Sequence, residues 1–167
     1  MQKTVEQVER KFLASRIILD LVPMVGTGKS IEQGYVVSKE DVELRIRRSD
    51  DDCFIAAKGE GTLSRDGWEK EIPRKLFDAL AKEVKGHMLK KMRRTIFPNG
   101  SAIIHIDIFL GPLLGLVIIE CKFVNEAYAE AFVLPKWAQD APEVTNDKRF
   151  QNKNLKDLGS PPEFTPV

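Results

Sequence analysis

The sequence predicts an α+β fold built mainly on an antiparallel sheet, and two observations favour it. The first is alternation, because successive side chains of a strand point to opposite faces. In residues 42–48 apolar and charged residues alternate, with Val42, Leu44 and Ile46 on one face and Glu43, Arg45 and Arg47 on the other. The second is spacing: several alternating stretches follow each other through short turns, and strands joined by short turns run antiparallel.

Strands and helices can be assigned along the whole chain. Val5–Leu13 alternates and is predicted to be a strand, whereas the apolar stretch Ala14–Val22 fits either a helix or a strand. Further strands are predicted at Ile31–Ser38, Val42–Arg48, Cys53–Lys58, Leu63–Ile72, Met88–Ile96, Ser101–Leu110 and Leu113–Phe123. Two helices are predicted, Arg74–Lys85 between Pro73 and Gly86, and Asn125–Phe132 with Asn125 as its N-cap.

The loop Pro23–Ser30 contains Gly28, Lys29 and Ser30 and resembles the end of a phosphate-binding loop. In such a loop, backbone amides contact the phosphate and a helix follows. Here Pro23 stands at the position of the leading glycine and has no N–H to donate, and the residues after Ser30 have strand character. The loop is therefore predicted to be a plain turn.

Composition limits the classes of function. The 167 residues suffice for one domain, predicted at residues 1–158, followed by a flexible, proline-containing tail at 159–167. Lys and Arg total 26 against 25 Asp and Glu, so the whole molecule carries no charge excess that would indicate nucleic acid or a membrane as partner. We expect a cytoplasmic protein, because Cys53 and Cys121 fit reduced, buried thiols and because no signal peptide or membrane span is recognisable.

The charged strand faces have two interpretations. They form the solvated side of an ordinary sheet, or the sheet closes and the charges line its interior. In the second case Lys and Arg would bind an anion there, and carboxylates would hold a cation.

Several motifs resemble, in the same order, those of the CYTH family, also called the triphosphate tunnel metalloenzymes. The resemblance extends from Gln7 to about Leu158 and rests on QVERKFL, EQGY, ELRIRR, Lys58, Arg65, the Lys91 and Arg93 pair, Asp107, ECKF and PKWAQDAPEVTNDKRFQNKNL. It implies a closed antiparallel β-barrel of about eight strands that forms a tunnel, with a few flanking helices. The family includes inorganic triphosphatases, thiamine triphosphatases, RNA triphosphatases and class IV adenylate cyclases, and this chain is most similar to the bacterial inorganic triphosphatases.

The resemblance assigns roles to the basic residues. It implies that the triphosphate is bound by Lys11, Arg45, Arg47, Lys58, Arg65, Lys91 and Arg93. It also implies that Lys58 and Tyr35 are catalytic and activate the attacking water. A lysine crowded by other cations has a lowered pKa and can act as a base near neutral pH. The alternative for Tyr35 is a half-buried strand aromatic with a structural role.

The acidic positions match the family only in part. The resemblance implies Mg²⁺ or Mn²⁺ as cofactor, held by Glu9, Asp107 and Glu120. Gln7 and Lys122 stand where the family has glutamates, and Gly67 and His105 replace two further acids. Lys122 is expected either to pair with the remaining acids in place of a metal, or to point to solvent at the tunnel rim. His105 is either a metal ligand or a hydrogen-bonded strand histidine.

Two functions follow from these assignments. The first is a metal-dependent triphosphatase, which is favoured by Tyr35 and Lys58. The second is a module that binds triphosphate, polyphosphate or a nucleotide without hydrolysing it, which is favoured by Gln7 and Lys122. A class IV adenylate cyclase is a further alternative, but no adenine pocket is recognisable. The expected partner is a small-molecule triphosphate or polyphosphate rather than nucleic acid, and the sequence leaves a homodimer open.

Overall fold

A computed structural model describes residues 8–15, 18–21, 28–39, 42–58, 67–84, 86–97 and 102–164. Its eight strands are β1 (Val8–Ala14), β2 (Lys29–Ser38), β3 (Glu43–Ser49), β4 (Asp52–Lys58), β5 (Gly67–Glu71), β6 (Met88–Ile96), β7 (Ala102–Phe109) and β8 (Val117–Phe123). Its α-helices are α1 (Ile18–Leu21), α2 (Arg74–Glu83), α3 (Glu126–Ala131) and α4 (Asn152–Leu155). The strands form one antiparallel sheet in the order β1-β8-β7-β6-β2-β3-β4-β5. The predicted α+β class with an antiparallel sheet of eight strands is confirmed.

One predicted strand begins later than expected. Leu113–Phe123 was predicted as a single strand, but β8 starts at Val117, and Gly111–Leu113 form a 3-10 helix with Pro112 near its start. Proline fixes its own φ and lacks an N–H, so it suits the first turn of a helix better than the interior of a strand. The two predicted helices are confirmed, and the side chain of Asn125 accepts a hydrogen bond from the Tyr128 amide, as a capping residue should.

The loop that resembles a phosphate-binding motif does not open a helix. Gly28 precedes β2, which already includes Lys29 and Ser30. Residues 22–27 lie outside the described residues. The strand character read from the sequence after Ser30 is confirmed.

Two apolar clusters cover the outer face of the sheet. One is formed by β1, β7 and β8 against α1, α3 and the 3-10 helix Lys136–Ala138, and it includes Ile104, Ile106 and Ile119. The other packs α2 on β3 and β4, with Phe77 of the helix close to Ile46. Burial of these apolar side chains fixes the orientation of each strand, so that the side chains at alternate positions point to the opposite face of the sheet.

Gly34 of the EQGY motif lies opposite Met88 of β6 and close to Val84 at the end of α2. A Cβ at this position would overlap the Met88 sulfur and approach Val84 Cγ2 to 2.8 Å. Glycine is therefore required for close packing. Gly86 has φ of 94°, in the left-handed region that glycine adopts without strain, and it follows the end of α2 as predicted.

The C-terminal segment covers one end of the other sheet face. Phe150 and Leu155 pack with Leu89, Phe109 and Ile118, which the strand register places on the face opposite to the outer clusters. This segment extends into the expected flexible tail. The Phe164 ring contacts the Phe150 ring at a centroid distance of 6.0 Å, and Arg149 donates to the Glu163 carbonyl.

The predicted closed barrel is not confirmed. Strands β1 and β5 are the two ends of the strand order, and no ladder joins them within the described ranges. Residues 59–66, which precede β5, lie outside those ranges. In the part of the chain that the structure covers, no helix combines the length and the apolar character that crossing a bilayer demands.

Candidate functional site

Charged residues from six of the strands gather on one face of the sheet. We call this face the charged face; it carries Glu9, Lys11, Tyr35, Glu43, Arg45, Arg47, Glu69, Lys91, Arg93, His105, Asp107, Glu120 and Lys122. The strand register brings these residues together because cross-strand partners point to the same side. Most of the predicted site residues are thus brought together.

Asp107 is the centre of a buried group of charges on β6 and β7. It accepts from Lys91 Nζ at 2.6 Å, from Arg93 Nε at 2.6 Å and from Arg93 Nη2 at 2.8 Å. The side chains of Lys91 and Asp107 are 1% and 2% exposed. Burial alone would raise the pKa of Asp107, but the charges of Lys91 and Arg93 outweigh it and lower this pKa. Asp107 is therefore an anion that holds both cations in place.

Lys91, predicted to bind the substrate, has an ammonium enclosed by protein groups in this structure. Its ammonium also lies 3.5 Å from Asn152 Oδ1 of α4 and 5.3 Å from the centroid of the Phe109 ring. Burial lowers the pKa of Lys91, and Asp107 opposes this shift. The ammonium of Lys91 thus lies between Asp107, Asn152 and the Phe109 ring, where it neutralises Asp107. The contact with Asn152 was missed by sequence reasoning, because it joins a strand to a distant C-terminal helix.

Lys122 lies between two carboxylates. Its Nζ is 3.3 Å from Glu9 Oε1 and 3.7 Å from Glu120 Oε1, and its side chain is 23% exposed. Burial would raise the pKa of Glu120, but Arg93, Lys11 and Lys122 together hold that pKa well below its usual range. The expected pairing of Lys122 with the acids is confirmed, and the alternative of a side chain that only points to solvent is wrong.

Arg45 and Arg47 of β3 share one carboxylate. Arg47 Nη2 lies 2.8 Å from Glu69 Oε1, and Arg45 Nη2 lies 3.7 Å from Glu69 Oε2. The Nε atoms of both arginines are buried and find no hydrogen-bond partner among the described residues. Burial lowers the pKa of Arg47, while Glu69 partly restores it. Glu69 is the carboxylate within ion-pair distance of both cations, and their buried Nε donors are unused among the described residues.

Tyr35 is buried at the edge of this group. It is 7% exposed, its hydroxyl accepts a hydrogen bond from Gln33 Nε2 at 3.0 Å, and its cross-strand partner is Arg45. A register shift between Tyr35 and Val37 distorts β2 next to it. Burial raises the pKa of Tyr35 strongly, so the phenol stays protonated near neutral pH. Tyr35 can donate a hydrogen bond there, but it cannot act as a base.

His105 hydrogen-bonds within the sheet. Its Nδ1 lies 3.0 Å from Thr95 Oγ1 on β6. Burial and the nearby Arg93 lower its pKa to about 4, so the imidazole is neutral near pH 7. The geometry agrees with the hydrogen-bonded histidine rather than with a metal ligand.

The three carboxylates predicted to bind metal do not fit a metal centre as they stand. Both oxygens of Asp107 are bonded to Arg93, and Glu9 and Glu120 are each paired with Lys122 through Oε1. No group of three or more His, Cys, Asp or Glu residues suited to a metal ion occurs within the described ranges. A hard divalent cation needs oxygen ligands at about 2.1 Å that are not already bonded to cations.

Strand β1 is fixed by residues 143–145, the EVT motif within the stretch PKWAQDAPEVTNDKRFQNKNL. Arg10 forms a bidentate pair with Glu143, with distances of 3.0 and 2.7 Å, and Thr145 Oγ1 accepts from the Lys11 amide at 2.9 Å. The Val144 amide donates to the Lys11 carbonyl. Sequence reasoning had recognised the motif without assigning these contacts. Their effect is to place Glu9 and Lys11 next to Glu120 and Lys122.

Three predicted positions cannot be placed. Gln7 and Arg65 lie outside the described residues, and so does the side chain of Lys58. The backbone of Lys58 ends β4, opposite Glu43 on one side and Gly67 on the other.

The known proteins that resemble this chain include inorganic triphosphatases. The chain is 35% identical over 154 residues to an inorganic triphosphatase of Nitrosomonas europaea, covering 89% of this chain and 95% of that protein. It is 30% identical over 155 residues to an inorganic triphosphatase of Acetivibrio thermocellus, covering 90% and 92%. A solved inorganic triphosphatase superposes with a TM-score of 0.69 at 28% identity, covering 94% of this chain and 98% of that one. No family model matches the chain.

Proposed function

Because this chain belongs to the CYTH family, the triphosphate tunnel metalloenzymes, we propose that it binds inorganic triphosphate on the charged face and hydrolyses it to pyrophosphate and phosphate. The relatives at 30% and 35% identity are both inorganic triphosphatases, which supports this substrate.

The observation that carries the proposal is the pair Arg45 and Arg47. Each has a buried Nε without a described partner, and among the described residues Glu69 is the carboxylate that the two share. Guanidinium groups suit phosphate oxygens because their planar donors can bind two oxygens at once. A triphosphate would supply the acceptors and the negative charge that these arginines lack.

Binding is proposed to involve further cations of the same face. Lys11 lies opposite Glu120 in the strand register, and Arg93 is fixed by its two bonds to Asp107. Arg65 and Lys58 are included by their place in the family pattern. Preorganised cations stabilise the charge that develops on the phosphate oxygens during transfer and need no reorganisation at that moment.

The chemical step is an attack of water on the terminal phosphorus. The new P–O bond forms as the anhydride bond to the middle phosphate breaks, and the electron pair leaves with pyrophosphate. We propose that Lys58 takes the proton of the water. Tyr35, which burial keeps protonated, is proposed to hold the water by a hydrogen bond rather than to take its proton.

Matched variants of β3 test this function. Arg47→Gln should weaken triphosphate binding and lower the rate of phosphate release by about ten- to a hundredfold, as expected for the loss of a charge-assisted contact. Arg48→Gln is the control, because Arg48 is the next residue on the same strand and pairs with Glu32 away from the charged face. Equal effects of the two substitutions, or no phosphate release by the wild type with any divalent cation, would refute the proposal.

The cofactor is tested in the same assay. A requirement for Mg²⁺ or Mn²⁺ remains a prediction, and its assignment to Glu9, Asp107 and Glu120 is the alternative to the pairing of these acids with Arg93 and Lys122. It is checked by comparing phosphate release in Mg²⁺, in Mn²⁺ and in EDTA. A metal-dependent rate that Glu9→Gln abolishes would support this assignment. A rate that is equal in EDTA would contradict it.

The pairing of Lys122 favours a second function, a module that binds triphosphate without hydrolysing it. An ammonium can neutralise carboxylates, but it cannot polarise a phosphoryl oxygen as a Lewis acid does. Calorimetric binding of triphosphate without any phosphate release would identify this function.

Three further proposals concern the closure of the sheet, the cellular compartment and the oligomeric state. We propose that the strands close into a tunnel around the substrate and that the protein acts in the cytoplasm, as a monomer or a homodimer, on small molecules rather than nucleic acid. The thiols of Cys53 and Cys121 are buried and unpaired, which suits a reducing compartment.

A further inference from the structure

On the charged face of β1 and β8, acidic and basic residues alternate both along each strand and between the two strands. Glu9 is the cross-strand partner of Lys122, and Lys11 is the cross-strand partner of Glu120. Each acid therefore has a lysine directly opposite. Opposite charges at such positions stabilise a sheet, by roughly 0.2–1 kcal/mol per pair.

Lys122 also joins the two acids to each other. Its Nζ is within 4 Å of one oxygen of Glu9 and of one oxygen of Glu120. Two carboxylates that converge on one point would repel each other without a cation between them. The ammonium supplies that cation from within the chain, and it places a positive charge where a second cation would have to approach.

The electrostatics agree with this arrangement. Glu120 is buried, yet its pKa is held well below the usual range by cations that include Arg93, Lys11 and Lys122. The geometry brings two cations to the same oxygen of Glu120, because Arg93 Nη2 and Lys122 Nζ each lie 3.7 Å from Oε1.

We propose that the ammonium of Lys122 replaces a divalent cation between Glu9 and Glu120, so that the charged face binds triphosphate without a metal ion at this position. This inference rests on the proposed triphosphate site. It assigns to Lys122 the neutralisation of the acids, while Arg45, Arg47 and Arg93 contact the phosphates. A glutamate at 122 would instead complete a carboxylate cluster with Glu9 and Glu120.

Titration with Mn²⁺ alone, followed by the electron paramagnetic resonance signal of the unbound ion, tests the position without any turnover. The wild-type chain should show no saturable binding up to about 1 mM. Lys122→Glu should gain a site at least about tenfold tighter, and adding Glu9→Gln should remove it. Lys70→Glu is the control, because it makes the same charge change at an exposed position of β5 outside the charged face.

Saturable binding of Mn²⁺ by the wild type that Glu9→Gln abolishes would overturn the proposal. That measurement needs no Lys122 variant, so it decides the matter even where Lys122→Glu does not fold. Failure of a folded Lys122→Glu variant to gain the site would also overturn it.

Calorimetry with inorganic triphosphate separates this inference from the proposed function. The wild type should bind triphosphate equally well, within about twofold, in EDTA and in Mn²⁺, whereas Lys122→Glu should bind only with Mn²⁺. Loss of wild-type binding in EDTA alone would refute the role of Lys122. Absence of wild-type binding under both conditions would refute the triphosphate site instead, and the Mn²⁺ titration would still decide what Lys122 does.

Discussion

At the residue scale, Asp107 determines the conformation of the cations on β6. It binds Lys91 through one oxygen and Arg93 through both, and its side chain is almost fully buried. Lys91 would be costly to bury alone, since desolvation penalises an ammonium without a partner. Asp107 thus offsets the cost of burying Lys91, and it fixes the orientation of the Arg93 guanidinium.

Removal of this carboxylate should destabilise the protein strongly. Asp107→Asn leaves Lys91 and Arg93 without their counter-charge and should lower the free energy of unfolding by about 3 kcal/mol, measured by urea denaturation. The control is Asp78→Asn, which breaks the exposed pair with Arg74 on α2 and should have a much smaller effect. Similar losses in the two variants would mean that the buried group is not structurally important.

His105 should make stability depend on pH. Its pKa of about 4 in the folded protein lies below the value of about 6.5 for an unfolded chain. Between these values the unfolded state takes up a proton that the folded state does not. The contribution of the neutral imidazole is therefore fully present above pH 6.5 and is lost as the pH falls toward 4.

The measurement is the free energy of unfolding of the wild type and of His105→Gln across pH 4 to 7. The difference between the two should change steadily as pH falls, with the wild type losing more stability than the variant. The low pKa values of Asp107 and Glu120 are common to both proteins and cancel in this difference. Parallel curves would contradict the burial of a neutral His105.

At the element scale, β1 is held from both sides. Its ladder with β8 aligns Glu9 with Lys122, and the EVT segment bonds to its other edge through Val144 and Thr145. Arg10 on the outer face adds a bidentate pair to Glu143 and donates to the Ala129 and Phe132 carbonyls. A strand with two bonded edges presents its charged side chains in fixed positions.

Loss of this attachment should loosen β1. Glu143→Ala removes the carboxylate from Arg10 and from Thr145, so the β1 amides should exchange hydrogen faster by about tenfold, equivalent to the loss of about one or two hydrogen bonds. Exchange followed by mass spectrometry measures this. Glu130→Ala, at an exposed position of α3, should leave β1 unchanged. Unchanged exchange in Glu143→Ala would show that the β8 ladder alone holds β1.

At the scale of the whole molecule, the sheet has two apolar clusters outside and one charged face. The C-terminal segment covers one end of that face through Phe150 and Leu155. At the other end Arg45 and Arg47 pair with Glu69 of β5. Among the described strands, β5 stands at one end of the order, and a strand in that position has backbone groups without a strand partner on one edge. Closure around a ligand would protect these groups.

Hydrogen exchange at β5 tests the proposed closure. In the absence of ligand the amides of Gly67–Glu71 should exchange faster than those of the central strand β7. Saturating triphosphate should slow exchange at β5, whereas the α2 amides, on the outer face, should not change. Equal rates at β5 with and without bound triphosphate would argue for an open sheet in both states.

Local periodicity was sufficient to determine much of this protein. Alternation along residues 42–48 placed Arg45 and Arg47 together opposite Ile46, and it did so because neighbouring side chains of a strand must point to opposite faces. The positions of α2 and the capping role of Asn125 follow from residues within a single turn. The closed barrel, by contrast, was expected from resemblance and does not follow from these local rules.

Only the tertiary structure decided which charges pair. Asp107 and Glu120 look alike in the sequence, yet Asp107 is bonded to Arg93 and Lys91, while Glu120 pairs with Lys122 of the same strand. The contact of Lys91 with Asn152 and the pairing of Arg10 with Glu143 also join segments that are far apart in the chain. Such pairs depend on strand register and on where the C-terminal segment packs. Both are set by burial of apolar side chains elsewhere, and for that reason the sequence identified the charged residues while the fold determined their partners.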